Sequence, residues 1–277
     1  METHERPKKI ALTLLWCAIA LVYLFPYIWM VLTGFRQPID TITMPPRFLF
    51  TPNLDGFRAL FQTTGFQYFL FNSVVISLGS TVLTILAAAP AAYALTHMPM
   101  SGPVSGRLFL FLIMVARMVP GMTLVVPIYL IAVGTGQLDT HHVLALIYIA
   151  VNLPFAIWLM RSFFRDIHPG LREAAILDGC SELQAFRKVM LPLAANGVLA
   201  TGVFVFIAAW NEFLFALVLT NSNASTAPLA MLGFRTQWGT LWAQIGAASV
   251  LVSSPVLVFA IAMQKYLLRG LTMGSVK

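Results

Sequence analysis

Nothing constrains this chain more tightly than its six apolar runs, at 10–33, 71–95, 108–131, 143–160, 197–220 and 243–267. Each approaches the roughly 20 residues with which a helix crosses about 30 Å of hydrocarbon, where every backbone N–H and C=O needs a partner inside the segment. The rest of the composition agrees. Hydrophobic residues make up 59% of the chain and charged residues 10%, against about a quarter charged in soluble domains. The expected class is an all-α membrane protein, one domain over 1–277 with six transmembrane helices. The first run follows Arg6, Lys8 and Lys9 but is too long for a signal-peptide core and has no small-residue cleavage site, so it reads as a retained anchor.

Lys and Arg near span ends mark the cytoplasmic side. With the N-terminus inside, Arg6, Lys8, Lys9, Arg107, Arg161, Arg165, Arg172, Arg187, Lys188, Lys265, Arg269 and Lys277 are cytoplasmic; Arg36, Arg47, Arg58 and Arg235 are outside, and Arg117 falls within the third run. The net charge of +7 therefore reflects topology. The basic residues form no single stripe able to follow a phosphate backbone, which excludes nucleic acid as a partner. Cys17 and Cys180 lie in a span and a cytoplasmic loop, so no disulfide framework is implied.

Between the first two runs, Pro38, Pro45, Pro46 and Pro52 forbid one continuous helix, while Phe57, Leu60 and Phe61 at i, i+3, i+4 suit a short amphipathic helix on the outer membrane surface or a plain spacer. The second run carries Ala87, Ala88, Ala89, Ala91, Ala92 and Ala94, small residues that let helices approach closely, and is expected to be interior. Pro26, Pro90, Pro120, Pro127, Pro154 and Pro255 favour kinks. Gly102 and Gly106 read as part of a turn, because Pro103 follows the first.

The polar stretch 165–192 is the richest in local signals. Helix formers from Arg172 to Asp178 follow Pro169 and Gly170, with Glu173 placed against the positive end of the helix dipole. Gly179 supplies the left-handed residue of a C-terminal cap, and Ser181 with Gln184 makes a capping box for a second helix, expected to stop before Pro192. Ala174 and Ala175 form a thin helix face that fits a groove on another protein, with Arg172, Glu173 and Asp178 at its rim; an interfacial hairpin without a partner is the plainer reading.

Glu173, Ala174, Ala175, Gly179, Val189, Leu191 and Pro192 resemble the EAA loop of ABC-importer permeases, with valine for the usual isoleucine. FPYIWMVLTGF at 25–35, NSVVISL at 72–78, AAYAL at 91–95, VPIYL at 126–130, IAAWNEF at 207–213 and RGLTMGSVK at 269–277 are similar to the maltose-type carbohydrate permeases, second-subunit kind. The resemblance covers nearly the whole chain. It implies a bacterial inner-membrane subunit, both termini cytoplasmic, that pairs with a second permease subunit, most simply as a heterodimer although a homodimer stays open. It also implies two cytoplasmic ATPase subunits, an extracytoplasmic substrate-binding protein and a carbohydrate cargo. Arg172, Glu173, Ala174, Ala175, Asp178, Gly179, Cys180, Leu191 and Pro192 then form the ATPase interface. No GxxxxGK[ST] loop occurs in the chain, so ATP and Mg belong to the partner ATPase and no cofactor is expected here.

Ionisable groups at membrane depth are costly unless they face a cavity or a partner. Asn211, Glu212, Arg117 and Asn152 are therefore candidates for the translocation path; Glu212 either lines it or is satisfied across a helix interface, and Arg117 either pairs with Glu212 or snorkels to the surface. Trp158, Trp210, Phe204 and Phe206 are candidate sugar-stacking rings. His141 and His142 read as loop residues without metal-ligand spacing, and Asn223 to Ser225 as a plain loop despite its sequon form. An ion-coupled secondary transporter is the alternative, although Glu212 is the one good acid for a coupling ion. An enzyme is disfavoured because no nucleophile or metal set such as HExxH is present.

Overall fold

The computed structural model describes residues 5–45, 47–98, 106–237 and 239–272. The Gly102–Pro103 turn and the last five residues of the basic tail lie outside them. In chain order the elements are α1 (Glu5–Gly34), a 3-10 turn (Pro38–Thr41), α2 (Asp55–Gln62), α3 (Phe66–His97), α4 (Gly106–Met118), α5 (Gly121–Gly134), α6 (His141–Arg165), α7 (Gly170–Leu177), α8 (Glu182–Ala185), a π turn (Phe186–Met190), α9 (Leu191–Leu193), α10 (Ala195–Trp210), α11 (Leu214–Leu219), α12 (Ala227–Ala230), a second 3-10 turn (Met231–Phe234), two short antiparallel strands β1 (Arg235–Thr236) and β2 (Gly239–Thr240), and α13 (Trp242–Thr272).

Among the described residues four stretches are long and apolar enough to cross a membrane: Leu12–Gly34, Phe66–His97, His141–Arg165 and Trp242–Gln264. Two bent pairs raise the number to six if each counts as one span. The run 108–131 is not one straight helix, for Leu108–Met118 and Gly121–Gly134 meet at 86°. Pro120, extended at ψ 131, has no N–H to continue the ladder and pushes Val119 out of the α region. Pro26, Pro90, Pro127, Pro154 and Pro255 lie inside uninterrupted helices. The run 197–220 is also divided: α10 ends at Trp210 and helix resumes only at Leu214.

The chain divides into two compact units, Met1–Gln67 with Ala230–Pro255, and Tyr68–Leu229 with Val256–Lys277. In the first, α1 and the start of α13 cross at two glycines. A Cβ on Gly246 would stand 2.4 Å from the Gly34 nitrogen, so only paired glycines permit this approach. Tyr27 and Ser253 join the same helices through their hydroxyls at 3.3 Å. The expected helix near Asn53 forms as α2, but it is packed: Leu60 is fully buried, and Phe57 lies 5.0 Å from the ring of Phe35.

In the second unit, one stripe of α3 is buried along its length: Ser73, Ser77, Thr81, Thr84, Ala88 and Ala92 recur at helical spacing. These small side chains bring α3 close to its neighbours. Ala88, Ala89, Ala92 and Tyr93 join Ile157, Met160 and Phe164 of α6, Phe186 and Met190 of the π turn, and Val205 of α10 in one core. The opposite face, including Phe71, Leu83 and Leu86, is exposed, so the helix is interior on one side only.

Candidate coupling loop and polar groups of the spans

Local chemistry builds the loop after α6 step by step. His168 Nδ1 accepts the otherwise unpaired Gly170 N–H at 3.1 Å at the start of α7. At the other end, Cys180 N–H reaches Ala175 O and Gly179 N–H reaches Ile176 O, both at 3.0 Å, which is a Schellman closure. It requires the left-handed φ of +87° that Gly179 adopts. The expected capping box follows, with Ser181 N–H donating to Gln184 Oε1 at 2.9 Å and Gln184 N–H to Ser181 Oγ at 3.4 Å.

Pro192 does not stop the second helix. The chain passes through it, and the turn just before widens so that Leu191 N–H bonds Phe186 O, five residues back. The extra residue in this π turn makes room for the proline ring, which clashes with the carbonyl four residues earlier in a regular α-helix. The direction changes instead past Ala194, where Glu182–Leu193 and Ala195–Trp210 meet at 77°.

Arg172 is not a free rim charge. Its Nε donates to Glu182 Oε2 at 3.2 Å and its Nη2 to Oε1, a forked pair joining α7 to α8. Tyr93 of α3 donates its hydroxyl to the same Oε2 at 3.0 Å, and its ring lies 5.1 Å from Phe186 and 5.9 Å from Phe164. The Arg172 guanidinium holds the Glu182 carboxyl below the usual carboxylate range. Ala175 is likewise turned inward, 7% exposed, because it faces the packed side of α7. Glu173, Ala174, Asp178 and Gly179 remain exposed; Cys180 and Leu191 are half-buried, and Pro192 is exposed. Glu182 and Tyr93 escaped sequence reasoning: the first looks like an ordinary first-turn acid, and the second belongs to a distant apolar run.

The polar residues of the spans do not assemble into one site. Glu212 caps α11, its oxygens accepting Phe215 N–H at 2.9 Å and Ala216 N–H at 3.3 Å. This explains how helix resumes after the break, since the cap satisfies the donors left open there. Arg117 does not pair with Glu212; its guanidinium lies 4.6 Å from the centre of the Phe155 ring. Arg117 also lines a cavity of about 560 Å³ at the α4–α5 break, with Pro154 and Phe215. Asn152 is buried and donates to Tyr148 O, and Asn211 donates to Ile207 O, so each serves its own helix backbone. Trp210 and Phe206 are buried, which removes them as sugar-stacking rings, whereas Trp158 and Phe204 are exposed. Trp158 stacks with Phe155, and Phe204 meets Phe155 edge-on.

A second polar knot lies between α5 and α6. Asp139, at φ 58°, accepts the N–H groups of Asn221, Ser222, Asn223 and Ala224 at 2.9 to 3.1 Å. Burial pushes its carboxyl up, but these donors outweigh it and draw the group down to about 2. Asn72 donates to Asn223 O and Ser225 O and meets His141 Nε2 at 2.8 Å, while His142 meets Gln137. Both histidines open α6 rather than lying in a loop.

A mostly helical chain with up to six apolar crossings among its described residues, and a polar helical hairpin fastened to its helices, is the architecture of a multi-pass membrane protein. The comparisons agree. The chain belongs to the binding-protein-dependent transport system inner membrane components, whose family model matches residues 86–273. It is 60% identical over 275 residues to a probable ABC transporter permease protein, y4oR, of Sinorhizobium fredii, covering 99% of this chain and 98% of that one. It is 36% identical to the trehalose transport system permease protein SugB of Mycobacterium tuberculosis, covering 92% of each. Identity to the diacetylchitobiose uptake system permease protein DasC of Streptomyces coelicolor is 34%, over 91% of each. The fold matches a chain in the crystal structure of a bacterial ABC transporter involved in alginate import, with TM-score 0.77 and 23% identity over 96% of this chain and 98% of that one.

Proposed function

We propose that this permease admits a carbohydrate, and that the hairpin from α7 to α9 is the cytoplasmic seat of a separate ATPase that drives it. The observation that carries the coupling role is the Arg172–Glu182–Tyr93 link, which fastens the hairpin to α3 while leaving Glu173, Ala174 and Asp178 exposed. A load applied to that exposed rim passes into the membrane helices instead of bending the loop. The two states of the bundle differ in their contacts with the ATPase, and that difference drives the switch between them. The Lys and Arg distribution supports placing this hairpin and both chain ends inside the cell.

The carbohydrate cargo is supported by the named substrates of the relatives, trehalose and diacetylchitobiose. Arg117 lines the cavity at the α4–α5 break and offers a cation, and Trp158 offers an exposed aromatic ring, a chemistry suited to hydroxylated rings. A second permease subunit supplies the other half of the path, an extracytoplasmic binding protein delivers the cargo, and ATP with Mg binds the ATPase. The secondary-transporter alternative is disfavoured because both Glu212 oxygens are engaged by backbone N–H groups.

Uptake of a labelled disaccharide panel into vesicles carrying the assembled transporter tests the reading. ATP-dependent, binding-protein-dependent uptake that survives an uncoupler is expected. Uptake that collapses with the ion gradient and ignores ATP overturns it.

A further inference from the structure

We propose that Arg36 anchors an oxyanion site for a lipid phosphate at the end of the first membrane span. Arg36 is 2% exposed, yet its Nε and Nη2 have no hydrogen-bond partner among the described residues. The acids of the same connection are engaged elsewhere, Asp40 with Arg47 at 3.5 Å and Asp55 with Arg58 at 3.8 Å. Aromatic rings accompany the guanidinium: the Trp29 centroid is 4.3 Å from its central carbon and the Phe50 centroid 5.0 Å. Those contacts hold the group in place without engaging its donors. Nε and Nη2 share one edge of the guanidinium, the edge that grips an oxyanion through two parallel N–H bonds.

Arg36 lines a cavity of about 340 Å³ together with Trp29, Thr33, Trp242 and Ile245. Its position favours a lipid over a free anion. The span Leu12–Gly34 ends two residues before Arg36, and its side chains Leu14, Leu15, Leu21, Val22, Leu24 and Phe25 are all more than half exposed. An acyl chain lying along this face brings a headgroup phosphate to the cavity, where Trp29 and Trp242 offer the amphipathic rings typical of the membrane–water boundary. The proposal does not depend on the nature of the cargo.

The test uses the intact transporter, delipidated in detergent, with phosphatidylglycerol, diacylglycerol of the same chains, and inorganic phosphate as probes. Retained lipid is read by native mass spectrometry and the thermal midpoint by unfolding. Phosphatidylglycerol should bind and raise the midpoint while diacylglycerol does not, and Arg36→Gln should weaken that binding at least tenfold, with Arg36→Lys in between. Ile245→Trp, which fills the cavity but keeps Arg36, should also abolish it and decides the matter where Arg36→Gln does not fold. An Arg36-dependent shift with inorganic phosphate alone supports the oxyanion fork with a free anion as its source. Binding that does not distinguish phosphatidylglycerol from diacylglycerol, or that persists unchanged in Ile245→Trp, overturns the proposal.

Discussion

Arg172 and Glu182 form a two-pronged ion pair across the Gly179 turn, and Tyr93 from a helix 89 residues earlier in sequence shares one of its oxygens. The hairpin is thereby tied to the membrane helices by side chains as well as by its own backbone caps. Glu182→Ala removes the centre of this link. Its side chain is 40% exposed and that of Arg172 21%, so the loss of stability should stay near or below about 1 kcal/mol. Transport should suffer more than folding: uptake per ATP hydrolysed in reconstituted vesicles is expected to fall several-fold. Unchanged stoichiometry would remove the link from the coupling route.

Gly179 tests the turn itself. No atom lies within 4 Å of a Cβ built there, so a substitution meets strain from φ +87° and no clash. Gly179→Ala should destabilise the turn by about 1 kcal/mol, Gly179→Asn by less, and Gly179→Val by more. Uptake and ATPase stimulation measured across the three variants should follow that order.

The Asp139 knot makes a pH prediction. Its folded carboxyl titrates at about 2, below the ordinary 3.8. The stabilisation is therefore complete above about pH 4 and is lost as pH falls through about 2. Protection of the Asn221 to Ala224 amides, taken relative to their intrinsic exchange rates, should fall over that window. In Asp139→Asn, which tolerates the positive φ but carries no charge, exchange should be fast already at neutral pH.

Cys180 reports on sidedness. It is half-buried and unpaired, whereas Cys17 is exposed on α1. In a Cys17→Ser background, a membrane-impermeant maleimide should label Cys180 only from the cytoplasmic side, with protection once the ATPase is assembled. Labelling from outside would invert the proposed topology.

The short-range features of the loop were readable because each depends on residues within a few positions of one another. Gly179, Ser181 with Gln184, and the helix of Arg172 to Asp178 are of this kind. Pro192 misled because its steric rule for α-helices says nothing of a π turn that absorbs the clash one turn earlier. The apolar runs marked where helices cross but not where they break. The break before Leu214 depends on Glu212 taking two N–H groups, and helical periodicity does not register a cap inside an apolar run. Arg117 failed as a partner for Glu212 because its guanidinium lies over the Phe155 ring while both Glu212 oxygens are taken by backbone N–H groups. Tyr93, Asp139 and Arg36 carry no local signature at all, since their roles come from contacts between segments or from the partner they lack.

The crossing of Gly34 and Gly246 has a consequence for how this protein can change. Where two side chains collide, enlarging one can be offset by trimming its neighbour. At this crossing neither member has anything left to trim, and the first atom met by a new methyl group on either side is main chain. The two positions are thus locked together without mutual compensation, and a larger residue at either one has to be accommodated by moving a whole helix.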